Sequence, residues 1–487
     1  MHKVFFSVIL LIFNIIPAYP QKGMTLDEAL RVAEDNSPSM KRTRLNLVRS
    51  QENLNAQNAA LKSNFSLSVN PLTYSQNRAY NSAISGFNTT KDLLSSGSLV
   101  ISQPIVLTDA TISLRNVFSY TNNIYNEEFP TSGVKFNNDL SINLNQPLFT
   151  YNRTKLQLKE LQLALENAQL NYAIQLLSLE KSVTQAFYYV YQRQQSMEIA
   201  NQAYQNMQKS HEVIKTKVDA GISAREEMFQ AELNLASSKS EYENSQVAFE
   251  NAKDEFKLLI GMSLYDDLIV LPNIEVDTVG IDIAFAIDQG LKNRMELRQS
   301  QINIETTQFD LIQTKAINEF KGNLNLSFGI NGLNEKFTEI YDDPRNNENV
   351  ELTLEIPLWD WGEKKSRIKA TEATIESANI SYEEEQNNII LEVRQVYRNL
   401  LNLQNQIVIA VQNVANAQLT YDLNLEKYRN GDLTGMDLNI YQNQLSEKQL
   451  SYTNSLISYK IELLNLKIQT LYDFEKNVPV TPVKTIE

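Results

Sequence analysis

Residues 153–220 contain neither glycine nor proline, and neither do residues 363–430. Those two residue types are the strongest interrupters of helices. Each run is therefore expected to form one helix, and at about 1.5 Å per residue it makes a rod near 100 Å long. A rod of that length cannot fold back into an ordinary globule. The two runs also lie in step, because Pro147-Leu148-Phe149 is answered 210 residues later by Pro357-Leu358-Trp359, Tyr172 by Tyr382, Phe187 by Tyr397, Lys217 by Lys427 and Gly221 by Gly431. One unit, a strand followed by a long helix and a glycine turn, is expected twice.

Along the first rod Leu161, Leu165, Ala168, Tyr172, Leu176, Leu179, Val183, Phe187 and Val190 recur at steps of three or four, which marks an apolar seam. Leu156, Leu163, Leu170, Ile174 and Leu177 fall roughly opposite. A two-stranded coil needs one seam, whereas a stave in a closed wall needs both flanks buried. After each glycine the periodicity resumes, over 222–260 and 436–471, as antiparallel return helices. Residues 24–61 and 281–317 are also expected to be helical, with breaks at Asn36-Ser37-Pro38 and Asn293-Arg294-Met295. Thr25-Leu26-Asp27-Glu28 has the form of a capping box at the start of the first.

The expected organisation begins with a leader, 1–20. A first repeat, 21–260, holds strands within 64–147, a long helix over 153–220 and its return. A linker over 261–280 leads to a second repeat, 281–471, with strands within 323–358 and a long helix over 363–430. A tail, 472–487, completes the chain.

The strands carry the functional argument. Leu324, Leu326, Phe328 and Ile330 alternate with Asn323, Asn325, Ser327 and Gly329, and Val350, Leu352, Leu354 and Ile356 alternate with Glu351, Thr353 and Glu355. In the first half Phe65, Leu67 and Val69 alternate likewise, as do Leu140, Ile142 and Leu144 against Ser141, Asn143 and Asn145. Period two with polar partners is a half-buried strand. A soluble sandwich shows the same pattern, but strands attached to 100 Å rods have no second sheet to pack on. Lipid could cover their apolar side, leaving Glu351, Glu355 and Asn143 to line water. Four such strands are too few for a barrel, since single-chain barrels start near eight, so several copies must pool them. Residues 71–135 have no counterpart in the second half and read either as an elongated external hairpin or as a small accessory sheet.

Lys3 and the apolar run 4–16 followed by Pro17-Ala18-Tyr19-Pro20 read as a secretory leader, too short for a spanning helix. The chain has no cysteine and two histidines, so disulfides, thiolate metal sites and a lipidated N-terminal cysteine are excluded. No cofactor is expected. A formal net charge of −14 argues against nucleic acid as a partner.

Together the leader, the duplicated Pro-Leu-aromatic strand ends and the glycine-tipped hairpins Val218-Asp219-Ala220-Gly221-Ile222 and Tyr428-Arg429-Asn430-Gly431 resemble the TolC-like outer-membrane efflux proteins. The resemblance covers nearly all of the chain after the leader. It implies an α+β membrane protein, a homotrimer in the outer membrane of a Gram-negative bacterium whose twelve pooled strands form one β-barrel, continued into the periplasm by an α-barrel of long antiparallel coiled-coil helices. It also implies a periplasmic adaptor and an inner-membrane transporter as partners, with outer-membrane lipid around the barrel. By the same resemblance Asp437 would form a pore-constricting ring and Tyr428 would tether Glu227. Gly221, Ile222, Gly431 and Asp432 would be the tips on which an adaptor docks. Ile440 and Leu433 stand where a second ring aspartate and a tether arginine are expected. Trp359, Trp361, Phe149 and Tyr151 lie where strand meets helix, as an interfacial aromatic belt or as packing at the joint.

Two other functions fit the sequence less well. An enzyme would need convergent nucleophiles or bases, and outside the leader His211 is the sole histidine, near a helical tip. A surface-anchored adhesive coiled-coil stalk would need only one stalk, with no reason for duplication.

Overall fold

The computed structural model describes residues 23–82, 85–126, 133–274, 279–430 and 432–480. The leader and Gly431 lie outside them. In chain order the elements are β1 (Gly23–Met24), α1 (Leu26–Asn36), α2 (Pro38–Ala60), β2 (Asn64–Asn81), β3 (Gly86–Ile105), β4 (Ala110–Asn126), β5 (Gly133–Leu148), α3 (Arg153–Asp219), α4 (Arg225–Ile260), β6 (Ile269–Val270), α5 (Ile283–Asn293), α6 (Met295–Lys315), β7 (Lys321–Asn334), β8 (Arg345–Glu355), α7 (Glu363–Asn430), α8 (Gly435–Thr470), β9 (Tyr472–Asp473) and β10 (Val478–Pro479). The long helices α3 and α7 have 67 and 68 residues, and the return helices α4 and α8 have 36 each. Among the described residues no helix is long and apolar enough to cross a membrane.

The chain packs as two compact units, and both draw on both halves of the sequence. One comprises Arg44–Tyr172 and Arg294–Asn388, the other Met1–Thr43, Ala173–Asn293 and Ile389–Glu487. The first holds the sheet and the helix segments joined to its strands. Its strand order is β2-β3-β4-β5-β7-β8, antiparallel throughout.

Residues 86–126 therefore form neither an external hairpin nor an accessory sheet. They supply β3 and β4, inserted between β2 and β5, so among the described residues this sheet has six strands rather than four. Alternation marks a strand but not its partner, and a strand pairs wherever backbone donors and acceptors are open. The hairpin of β7 and β8 is also longer than expected, its ladder running from Lys321↔Glu355 to Asn331↔Arg345. The polar residues 345–349, ahead of the alternation that starts at Val350, are thus strand as well.

Where helices start and stop follows local chemistry. Thr25 and Glu28 make the reciprocal capping box of α1. Ser37 is extended, as a residue before proline should be, and its hydroxyl accepts the Met40 amide at 3.3 Å as α2 begins. α3 ends at the left-handed Gly221 (φ +73°), with the Ile222 amide donating back to the Lys217 carbonyl at 2.8 Å, a Schellman closure. The Asp432 amide makes the same bond to Lys427 at 2.9 Å.

In the other unit Val183, Phe187 and Val190 of α3 are buried with Phe256 and Ile260 of α4, and the Phe187 and Phe256 rings lie 5.9 Å apart. A second core joins Ala286 of α5 to Val393, Val396 and Leu400 of α7 and Tyr459, Leu463 and Leu466 of α8. Phe474 is part of it and meets Phe285 edge-on at 6.3 Å. Within the tail, Tyr472–Asp473 and Val478–Pro479 form the β9–β10 pair, docked because Tyr472 and Phe474 carry too much apolar surface to leave in water. The linker over 261–280 likewise contributes β6, parallel to β1.

Candidate functional site

The ladder partners of the sheet assign every side chain to a face, since opposed residues point the same way and neighbours alternate. One face carries Phe65 and Leu67 of β2, Leu99 and Ile101 of β3, Ile112 and Leu114 of β4, Ile142 and Leu144 of β5, Leu326 and Phe328 of β7, and Val350 and Leu352 of β8. It is apolar across all six strands and open, with Phe65, Leu67 and Val350 at 67%, 71% and 75% exposure. A monomeric soluble protein rarely exposes so large a contiguous apolar surface.

The opposite face is mostly amide and hydroxyl. The Ser327 hydroxyl donates to Asn143 Oδ1 at 2.7 Å, Asn145 Nδ2 to Asn325 Oδ1 at 2.6 Å and Asn331 Nδ2 to Asn137 Oδ1 at 2.8 Å. Glu351 and Glu355 of β8 lie on this same face as Asn143, by the pairs Asn325↔Glu351, Lys321↔Glu355 and Asn143↔Ser327. Lys321 Nζ is 3.0 Å from Glu355.

Aromatic rings bracket the apolar face. At its helical end Phe149 lies 5.2 Å from Phe320, and Trp359 meets Trp361 edge-on at 5.7 Å, both tryptophans exposed. Tyr151 stands at the same joint, half-buried. At the other end Phe118, Tyr120, Phe136 and Phe337 cluster with centroids 5.2 to 6.3 Å apart. Sequence reading missed this second ring of aromatics because β4 had no assigned place in the sheet. The signal was available in Phe118 and Tyr120 continuing the apolar alternation of Ile112 and Leu114.

The joint itself is built on two capping carboxylates. Asp360 accepts the Gly362 amide at 2.9 Å and the Lys364 amide at 3.1 Å, and these bonds, with that to Gly362 foremost, hold its carboxyl below the usual range. At the start of α3 the carboxylate comes from elsewhere. Asp109, in the turn between β3 and β4, accepts the Arg153 and Thr154 amides at 3.3 and 3.0 Å and the Thr154 hydroxyl. Asn152 donates to the Val106 carbonyl at 2.7 Å. Nearby, Arg298 of α6 grips Glu166 of α3 with two bonds of 2.6 and 2.9 Å and reaches Glu305 at 2.8 Å. The hydrogen bond from Arg298 lowers the Glu166 carboxyl.

In the other unit the ends of α3, α4, α7 and α8 enclose a cavity of about 470 Å³ lined by His211, Lys217, Glu227, Tyr428, Asp432 and Asp437, among others. Tyr428 and Glu227 both line it, and among the described residues of one chain the Tyr428 hydroxyl makes no hydrogen bond. Asp437 closes the cap of α8, its carboxylate accepting the Thr434 hydroxyl at 2.7 Å while its amide donates to Thr434 Oγ1 at 3.1 Å. His211 Nε2 stands 4.0 Å from Glu232. Gly221 and Ile222 sit at the hairpin turn, with Ile222 at 75% exposure.

Residues 286–468 match the family described as outer membrane efflux protein. No curated protein matches the chain by sequence. Among solved structures, the fold is similar to the Campylobacter jejuni CmeC outer membrane channel, with TM-score 0.70 and 14% identity over 93% of this chain and 88% of that one. It is similar to the outer membrane protein VceC of Vibrio cholerae, with TM-score 0.65 and 15% identity over 91% and 95%. The Neisseria gonorrhoeae MtrE outer membrane channel, in its open state, gives TM-score 0.65 and 13% identity over 92% and 89%. A sheet with one apolar and one polar face and helices of 67 and 68 residues thus go with a match to the outer membrane efflux protein family over residues 286–468 and with a fold similar to these solved outer membrane proteins.

Proposed function

We propose that the protein is an outer-membrane exit duct, in which three copies pool their strands into one barrel and their long helices continue the passage through the periplasm. The observation that carries this reading is the two-faced sheet. Its open apolar face, bracketed by aromatic rings, suits a bilayer, and its amide-lined face suits water. Glu351, Glu355 and Asn143 would then line the lumen, and Trp359, Trp361, Phe149 and Tyr151 would sit at the periplasmic interface.

The helical tips are the proposed meeting point with a periplasmic adaptor and, through it, an inner-membrane transporter. The exposed Ile222 and the neighbouring Gly221 and Asp432 offer that surface. Gly431, outside the described residues, belongs to the same proposed tip. Asp437, repeated in three copies, would ring the passage and concentrate cations.

Detergent-purified protein added to a planar bilayer tests the reading. Discrete conductance steps, from particles whose mass is that of a trimer, are the expected result. A surface stalk anchored by the same strands would leave the bilayer silent, and silence would discard the duct.

A further inference from the structure

We infer that β8 of one copy pairs with β2 of the next, so that three copies close a barrel of eighteen strands rather than the twelve that four strands per chain would give. The inference rests on the duct reading above and adds to it the strand count, the edge pairing and the bore.

Both edges of the sheet are open. All eleven residues of β8 are exposed, and so is β2 from Asn64 to Tyr80. Natural edge strands are blunted by lysine, proline or bulges. β8 has none of these between Arg345 and Glu355. β2 has Pro71 and a register shift between Asn70 and Thr73, leaving 64–70 free to pair. The strand count is even and every pairing antiparallel, so β8 and the next copy's β2 run in opposite directions, as a ladder of this type requires. The two edges differ, which makes the contact head-to-tail and able to close into a ring. Six strands are too few for a chain to close on itself.

The register already contains the stagger of a barrel. Followed across the ladder, Phe65 stands level with Ile101, Leu114, Ile142, Phe328 and Glu348. Phe65 is the second residue of β2, whereas Glu348 lies well above the end of β8 at Glu355. Strand ends thus slide by about one residue per strand, roughly 3.3 Å along for each 4.7 Å across, a tilt of about 35°. Membrane barrels tilt by about 35–45°. Joining the copies with Phe65 opposite Leu354 and Leu67 opposite Leu352 leaves the strand ends flush at this joint, as they are between β3 and β4 and between β7 and β8, so the mean slide stays about one residue per strand and the apolar face is unbroken. Eighteen strands at this tilt make a barrel about 33 Å across at the backbone, against about 22 Å for twelve.

The chain has no cysteine, so introduced pairs report without background. In the inferred register Ser66 of one copy opposes Thr353 of the next, both on the polar face. The double variant Ser66→Cys with Thr353→Cys is expected to give, on oxidation, a covalent ladder ending at the trimer on denaturing gels, with neither single variant doing so. Electron microscopy of the unaltered trimer is expected to show the wider barrel. A conducting trimer that gives no ladder for this or neighbouring β2–β8 pairs would overturn the edge pairing and leave the duct standing. So would a barrel of twelve-strand width, with β3 and β4 extruded, or a link confined to one chain. Absence of both trimer and conductance would instead remove the duct reading itself.

Discussion

Gly221 and Gly261 hold nearly the same left-handed backbone, φ +73° and +72°, yet the space around them differs. Nothing lies within 4 Å of a Cβ built on Gly221, whereas one on Gly261 would fall 2.4 Å from the Asn36 carbonyl oxygen at the end of α1. Gly221→Ala is expected to cost about 1 kcal/mol, the conformational penalty alone. Gly261→Ala should cost several kcal/mol, because backbone must move. Thermal unfolding of the two variants side by side checks the contrast, and equal losses would refute it. Asp360 supplies a pH-dependent counterpart. Its folded carboxyl titrates below the usual value because Gly362 and Lys364 donate to it, so its contribution is present above the unfolded pKa and is lost as pH falls through the depressed folded one. Asp360→Asn should therefore lower stability above the unfolded pKa, flatten the acid limb and converge on the wild type at low pH, which denaturant unfolding across a pH series checks.

Among elements, the contact of α6 with α3 turns on one side chain. Arg298 bridges Glu166 and Glu305 but is partly exposed, and solvent limits such pairs to roughly 1 kcal/mol. Arg298→Ala should lower the unfolding midpoint by that order, and 0.5 M salt should narrow the gap to wild type by screening the ion pairs. Much at this scale was legible in the sequence. The absence of glycine and proline located α3 and α7, and Pro38 and Asn293 located the breaks ahead of α2 and α6. The place of β3 and β4 was not legible, because period two in residues 98–120 reports a half-buried strand without naming its neighbour. Nor could spacing alone disclose that Asp109 caps a helix beginning at Arg153. The docked Tyr472 and Phe474 were hidden by the surrounding polar residues and Pro479, which read as a tail.

For the whole molecule, copies must cooperate before charge at the tip matters to ions. Asp437 caps α8 in each chain and, in the proposed trimer, faces its own symmetry mates. The two roles separate by substitution. Asp437→Asn retains an oxygen acceptor for the Thr434 hydroxyl but removes the charge, so the reversal potential under a salt gradient should shift toward zero with little change in stability. Asp437→Ala should lose both. An unaltered reversal potential in the Asn variant would confine Asp437 to capping. The position of this residue came from resemblance rather than spacing, and the cavity beside Tyr428 and Glu227 shows why. Four helix ends converge there, and no single stretch of sequence carries their arrangement.

The strap from Asp109 to the start of α3 makes the inserted hairpin something other than a detachable cassette. Thr150 stands where the second half has Asp360, so trimming 86–126 would strip the helix of the acidic cap that Asp109 supplies. An engineer narrowing the sheet to four strands would have to restore the missing charge locally, by Thr150→Asp, returning the first half to the self-contained arrangement its sister half already uses.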